Sequence, residues 1–326
     1  MQKVAIIGSG IIGAYIALKL KEKGFDVFLY DKKQEKDLGF KPCSTLVSER
    51  IRRFIVVPDD CVENIIDGCR INFPKKTIEL GFNPRHLVLN RDKLIQEQLS
   101  LLKEKGVNVC LGEDIKEIPS QYDYVIGCDG PTSVIRRKLN LKEPWLKTGM
   151  QVFVKKQDKS SLTDVFPIKS GFLWQIPRAD FIEYGILTSS LRPREAFLDF
   201  LKKQKVEAKN IVSALVPFSG PGMIFSKDKK VALCGDAMGL TKPWSGGGII
   251  WSLYAADILV RNFPDFNKYE KEAGKFFEFK IIKGVIANRL VNFLGFHLSF
   301  LLPRRINYDN DFPDFIKSFV DLIRKR

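Results

Sequence analysis

Val4-Ala5-Ile6-Ile7-Gly8-Ser9-Gly10-Ile11-Ile12-Gly13 is an apolar strand that runs into three spaced glycines and then into an apolar helix. The helix is expected over Ile11 to Leu20, where Ile11, Ile12, Tyr15, Ile16 and Leu18 supply the apolar positions. This pattern opens a βαβ unit that cradles a dinucleotide. Gly8 permits the tight turn, Gly10 lets the main chain approach a pyrophosphate, and Gly13 lets helix and strand pack closely. The N–H groups that open the helix, those of Ile11 and Ile12 among them, would then hold the phosphates together with the positive helix end. A second strand, Asp26-Val27-Phe28-Leu29-Tyr30, ends in Asp31-Lys32. An acid at that point accepts ribose hydroxyls and repels a 2′-phosphate, so Asp31 and Lys32 mark the adenosine end and NADP is disfavoured in this half.

Two later stretches repeat the theme. Tyr122-Asp123-Tyr124-Val125-Ile126-Gly127-Cys128-Asp129-Gly130 is one, and Val231-Ala232-Leu233-Cys234-Gly235-Asp236 is the other, followed by Pro243-Trp244-Ser245-Gly246-Gly247-Gly248-Ile249. Each is a short apolar strand whose Gly/Asp turn can bring backbone N–H groups to a phosphate or a flavin edge. A single turn of this kind is weak; three in this order predict FAD. Asp129 and Gly130 are expected near the pyrophosphate or its waters, and Gly235 and Asp236 near the ribityl chain or ribose. For either Asp the alternative is a solvated turn residue or a helix cap. The loop formed by Pro243, Gly246, Gly247, Gly248 and Ile249 opens a helix, and is expected to set its N–H groups and positive dipole at flavin N1 and C2=O.

The chain has 326 residues, which suits two closely joined domains. Lys and Arg outnumber Asp and Glu by 53 to 38, for a net charge of +15. Such an excess attracts anions: an acidic membrane surface, a phosphorylated substrate or an acidic redox partner. No dense basic block interleaved with aromatics occurs, so nucleic acid is not expected as a partner. The cysteines, at 43, 61, 69, 110, 128 and 234, form no CxxC pair and no zinc spacing, so no metal is expected. Cys61 and Cys69 are close enough in sequence for a local disulfide, with a reduced pair the default in the cytosol. The first residues enter a strand directly, without a signal peptide, and a cytoplasmic protein is expected. Residues 281–302 are long enough to span a bilayer, yet Lys283, Asn288, Arg289, Asn292 and His297 interrupt them. They read as buried or interfacial helix, with peripheral membrane contact as an open alternative.

The expected fold class is α/β: a Rossmann-type FAD-binding domain with a parallel sheet, an inserted antiparallel substrate sheet, and a helical C-terminal segment. The FAD-binding domain is discontinuous, built from 1–72, 87–144 and 228–265. Within it, helices are expected over Arg91 to Lys105 and Ser133 to Leu139, the latter placing Arg136 and Arg137 near the phosphates. Residues 73–86 and 145–227 form the substrate domain, since Gln151–Val154, Asp164–Ile168, Gly171–Pro177, Phe181–Leu187 and Ala214–Pro217 show strand patterning. Residues 266–326 form the helical end.

The ordered turns resemble the FAD-dependent group that includes aromatic hydroxylases, flavin halogenases and geranylgeranyl reductases (the p-hydroxybenzoate hydroxylase-like flavoproteins). Several local stretches are most similar to the geranylgeranyl reductases. Lys41-Pro42-Cys43, with Ser44 next, is similar to that family's Lys-Pro-Cys-Gly-Gly segment beside the flavin ring. Leu89-Asn90-Arg91 resembles its arginine contact to the cofactor. Phe172-Leu173-Trp174-Gln175-Ile176-Pro177 resembles its aromatic-x-Trp-x-Phe-Pro strand, and Thr241-Lys242-Pro243 with Gly246 to Ile249 matches its loop under the flavin pyrimidine. There are departures: Ser44-Thr45 stand where the family has glycines, and the tryptophan strand ends Ile-Pro, as in the halogenases.

The resemblance implies saturation of isoprenoid double bonds by hydride from flavin N5 and a proton from the protein. Lys41, Pro42, Cys43, Ser44 and Arg91 would join the cofactor site, and Phe172, Trp174 and Pro177 the substrate channel. Cys43 is the candidate for proton delivery or for shaping the flavin face, or else a small buried thiol. His86 and His297 read as structural, and Arg178 as a solvated charge or a headgroup contact. No second GxGxxG occurs, so electrons would come from transiently docked NAD(P)H or from a ferredoxin-type protein. The competing readings are a monooxygenase or halogenase on the same frame, and a membrane-surface, quinone-linked flavoprotein.

Overall fold

A computed structural model describes residues 1–39, 42–219, 223–226 and 228–313. The chain opens with β1 (Lys3–Ile7), α1 (Ile11–Glu22) and β2 (Asp26–Asp31), then β3 (Leu46–Ser48), β4 (Val62–Phe73) and β5 (Lys76–Leu89). It continues through α2 (Arg91–Glu104), β6 (Asn108–Leu111), β7 (Tyr124–Gly127), α3 (Val134–Lys138), β8 (Leu146–Lys155) and β9 (Leu162–Ile168). Next come β10 (Gly171–Pro177), β11 (Phe181–Thr188), α4 (Pro193–Lys203), β12 (Val212–Pro217) and β13 (Val231–Leu233). The last described elements are α5 (Ile249–Asn262), α6 (Phe266–His297) and β14 (Arg305–Tyr308).

Five strands form a parallel sheet in the order β13-β7-β1-β2-β6. Its strands are apolar because helices cover the sheet, α1 and α5 from one core. All three Gly/Asp turns follow neighbouring strands of this sheet, β1, β7 and β13, so they emerge side by side at its carboxyl edge. That adjacency is what unites three stretches far apart in sequence.

The second sheet has nine strands, ordered β12-β8-β11-β10-β9-β4-β5-β14 with β3 pairing β5. It is antiparallel except where β4 meets β9 and β14 meets β5. One face of β8 and β11 packs on α4 through Val152, Ile182, Tyr184, Ile186, Phe197 and Phe200. The opposite face turns toward the parallel sheet.

Two expectations change. The boundary expected at 72–73, and the return to the nucleotide domain at 87, do not follow the sheets. Residues 62–89 are one hairpin of the larger sheet, joined by Pro74-Lys75, which lacks the Asn-Gly or Asp-Gly signature of a tight hairpin. The segment after α6 is not all helical either: β14 lies parallel to β5, with Arg305 opposite Glu79 and Tyr308 opposite Phe82. Residues 314–326 of the expected helical end lie outside the described residues. Cys61 and Cys69 are free, buried thiols, and burial pushes Cys69 up to about 12.

Candidate active site

Each glycine of the first turn has its own geometric reason. Gly8 has φ +107°, and a Cβ there would lie 2.3 Å from the Cys128 carbonyl oxygen. A Cβ on Gly13 would lie 1.9 Å from the Gly8 carbonyl oxygen. A Cβ on Gly10 would meet nothing within 4 Å, so here the turn faces open space, as approach of a pyrophosphate requires. Gly10 caps α1 without a side-chain acceptor, and no acid lies in the first turn, so the leading N–H groups are left for an anion. Gly248 caps α5 in the same way.

That open space is a cavity of about 1300 Å³ between the two sheets. Ordinary ligand pockets run to roughly 300–1,000 Å³, so this one has room for a dinucleotide and an elongated second ligand. The first turn contributes Gly10, Ile11, Ile12 and Gly13 to the wall, the second Gly130, the third Gly235 and Asp236, and the following loop Gly246, Gly247, Gly248 and Ile249. Pro42, Cys43, Ser44 and Arg91 join them from the other side. Phe172 and Trp174 of β10 also line it, with Ile176.

Other expected residues stand back from the wall. Asp31 is held on the first turn: its Oδ2 accepts from Ser9 N and Oγ, both at 2.8 Å, and its Oδ1 from Lys33 N at 3.0 Å. Lys32 is exposed. Asp129 Oδ2 accepts from the N–H groups of Val134 and Ile135 at 2.6 and 3.2 Å, so it caps α3, while its buried Oδ1 has no partner. Pro243 supports α6, because a Cβ on Gly284 would sit 2.9 Å from its ring. Pro177 is not among the described residues that line the cavity, and Lys41 lies outside the described residues. Arg136 is not at the phosphates: it is fully buried, donates to the carbonyls of Ala237 and Pro131 at 3.0 Å each, and pairs with Glu143. Arg137 is exposed.

Two polar clusters carry no sequence motif. Behind Trp174, the fully buried Glu183 carboxylate accepts from Trp174 Nε1 at 2.9 Å and from Arg178 Nε and Nη2 at 3.0 and 2.8 Å. Arg178 also pairs with Glu63 and donates to the Ser44 carbonyl, so it is neither solvated nor placed for a headgroup. One guanidinium thus ties the Pro42–Ser44 loop to the tryptophan strand. Trp174 lies over Gly185, whose Cβ would fall 2.1 Å from the indole.

The second cluster lashes Asp309–Asp311 to the cavity floor. Asp311 is buried and pairs with Lys242 at 3.2 Å and Arg50 at 3.1 Å, accepts from Ser48, and offers its carbonyl to Trp251 Nε1 at 2.7 Å. Asn310 accepts from Trp244 Nε1 at 3.1 Å and donates to His86 Nε2 at 3.1 Å. Burial pushes Asp311 up, but Lys242, Ser48, His86 and Arg50 outweigh it and hold the carboxyl below its usual range. Burial, then the Lys242 charge, lower His86 to about 3, so its imidazole is neutral.

The residues present fit a flavin dinucleotide. Gly10 and Gly130 leave room against the turns, and Arg91 carries a buried, unpartnered Nε at the wall. The family profile of an NAD(P)-binding Rossmann-like domain matches residues 6–40. The chain is 25% identical over 306 residues to digeranylgeranylglycerophospholipid reductase 3 of Methanosphaera stadtmanae, covering 79% of this chain and 76% of the relative. It is 24% identical over 342 residues to kynurenine 3-monooxygenase of Flavobacterium psychrophilum, covering 83% and 76%. Among solved structures, a geranylgeranyl bacteriochlorophyll reductase-like protein of Thermoplasma acidophilum superposes with TM-score 0.75 at 21% identity, over 89% of this chain and 87% of the other. Turns, fold and relatives agree: the chain is similar to the geranylgeranyl reductase-like and monooxygenase-like FAD-dependent flavoproteins.

Proposed function

We propose that the chain binds FAD across its three turns and reduces carbon–carbon double bonds of a prenyl chain held in the adjoining cavity. The observation that carries this reading is the cavity itself. Beyond the flavin site its wall is mostly apolar, formed by residues such as Ile71, Leu80, Val165, Phe172, Trp174 and Leu294, and its volume leaves room for a hydrocarbon chain beside the dinucleotide. An isolated alkene needs such a dry, shaped surface, because no polar handle orients it.

In this reading Gly10 to Gly13 and Arg91 hold the pyrophosphate side, and Asp236 the ribityl or ribose hydroxyls. The N-terminus of α5, with Gly246 to Gly248, supports negative charge at the pyrimidine edge. When bound, the flavin supplies a hydride to one alkene carbon. Cys43, at the wall beside Pro42 and Ser44, gives its thiol proton to the other carbon and is reprotonated from solvent; NAD(P)H or a ferredoxin-type protein restores the electrons. Trp174 and Phe172 press the chain into place.

The similarity to a kynurenine monooxygenase supports a second reading, oxygen insertion on the same frame. One experiment separates them. The flavin-loaded protein is reduced with dithionite without oxygen, and geranylgeranyl diphosphate or a geranylgeranylated glycerophospholipid is added. Reoxidation with a product mass gain of two hydrogens per double bond supports the reductase. A flavin that stays reduced with every prenyl substrate, yet is reoxidised productively by oxygen with an aromatic compound, favours the monooxygenase.

A further inference from the structure

Helix α6 is amphipathic in the wrong sense for a helix that ends at water. Its buried side, with Phe277, Ile281, Gly284 and Gly295, packs on the protein. Phe279, Ile282, Ile286, Leu290 and Phe293 recur every three or four residues on its other face, and that face is exposed. Phe279 and Ile286 are each 62% exposed, Phe293 is 55% exposed, and Phe300, just past the helix, is 70% exposed. Soluble surfaces rarely present so continuous an apolar stripe without a partner.

Charge and position indicate which partner. From Phe279 to Tyr308 the chain contains no Asp or Glu, while Lys280, Lys283, Arg289, Arg304 and Arg305 lie in the same stretch. Lys283 Nζ sits 4.2 Å from the Phe279 ring centroid, a cation at the margin of the apolar face. Ile286 and Leu290 belong both to the exposed stripe and to the cavity wall, so the stripe continues across the rim into the cavity. Among the described residues no helix is long and apolar enough to cross a membrane. An apolar face flanked by cations, on a helix whose other side is buried in protein, suits a helix lying in the plane of a bilayer.

We infer that α6 and the following Phe300–Arg305 segment dock the protein on an anionic lipid surface, with the cavity mouth opened toward the acyl layer. A prenyl lipid then passes from bilayer to cavity along Ile286 and Leu290 without exposing its chain to water. The inference rests on the prenyl-chain reading of the cavity, but docking itself is measured without substrate or turnover.

The test is sedimentation of the full, flavin-loaded chain with vesicles of phosphatidylglycerol and phosphatidylcholine, or of phosphatidylcholine alone. Strong binding to the anionic vesicles is expected, at least tenfold weaker on neutral vesicles and weakened by salt. The triple variant Phe279→Ser, Phe293→Ser, Phe300→Ser, none of which lines the cavity, is expected to lose binding at least tenfold while keeping its melting temperature and visible flavin spectrum. Absence of binding to either vesicle overturns the inference. So does a concentration-dependent dimer that the triple variant abolishes, which would assign the stripe to a second copy of the chain. Turnover of detergent-dispersed prenyl substrate by a protein that ignores vesicles would leave the reductase reading intact and remove only the docking.

Discussion

Trp174 Nε1 donates to Glu183 Oε1 at 2.9 Å, from one strand of the larger sheet to the next, and the carboxylate that receives it is fully buried. The same carboxylate neutralises Arg178, whose other partners include Glu63 and the Ser44 and Leu89 carbonyls. The indole at the cavity wall is therefore held by a buried ion pair as well as by packing over Gly185. Removing the acid breaks a buried pair and leaves Arg178 only the partly exposed Glu63 as an ion-pair partner, a loss of up to about 3–5 kcal/mol. Glu183→Ala is expected to lose that much in urea unfolding. Glu183→Gln, which keeps an acceptor for the indole, should lose less and retain the wild-type tryptophan emission. Equal losses in both variants would show that the indole hydrogen bond contributes nothing separable.

The first turn predicts a split between folding and cofactor binding. Gly13→Ala forces a Cβ against the Gly8 carbonyl, and neither backbone can yield, so the apoprotein should be destabilised. Gly10→Ala meets no protein atom, so the apoprotein should melt as wild type does, yet the methyl occupies the pyrophosphate's approach. Melting curves of apoprotein together with flavin content after reconstitution test this. Full flavin occupancy in Gly10→Ala would refute the placement of the phosphates.

His86 sets a pH dependence of stability. Its folded value near 3 lies below the usual 6.5, so between those limits the unfolded chain binds a proton that the folded chain refuses. Stability is full above about 6.5 and falls as pH drops, by ~1.4 kcal/mol for each pH unit. Asp311, with its carboxyl also lowered, adds its own loss only below its ordinary value of 3.8, so pH 4.5–6 isolates the histidine. His86→Gln should flatten the slope of unfolding free energy in that window by one proton. An unchanged slope would mean that the imidazole is not held neutral by Lys242 and burial.

Cys43 is tested by Cys43→Ala. The proposal expects flavin binding and melting temperature to persist while single-turnover prenyl reduction slows by roughly 10²–10⁴-fold, the usual worth of a positioned proton donor. An unchanged rate would leave Cys43 as a small wall residue and pass proton delivery to solvent or another group.

Much of the molecule was legible in local pattern. The turn glycines at 8, 10 and 13 are revealed by their spacing after an apolar strand, although the Cys128 carbonyl that crowds Gly8 comes from far along the chain. The strand Gly171–Pro177 and the helix beginning at Arg91 are likewise read from periodicity and local chain chemistry, and the structure places both where expected. What lay beyond the sequence is whatever depends on partners distant along the chain. The hairpin of residues 62–89 carries no tight-turn signal and is defined by pairing with β9 and β14. Arg178 looks like a surface charge until Glu183 and Glu63 meet it in the interior, and Asp311 is unremarkable until Ser48, Arg50, Lys242 and Trp251 converge on it. Backbone conformation and periodicity are properties of neighbouring residues and survive in one dimension; burial and the pairing of buried charge are decided only when both sheets close around a common cavity.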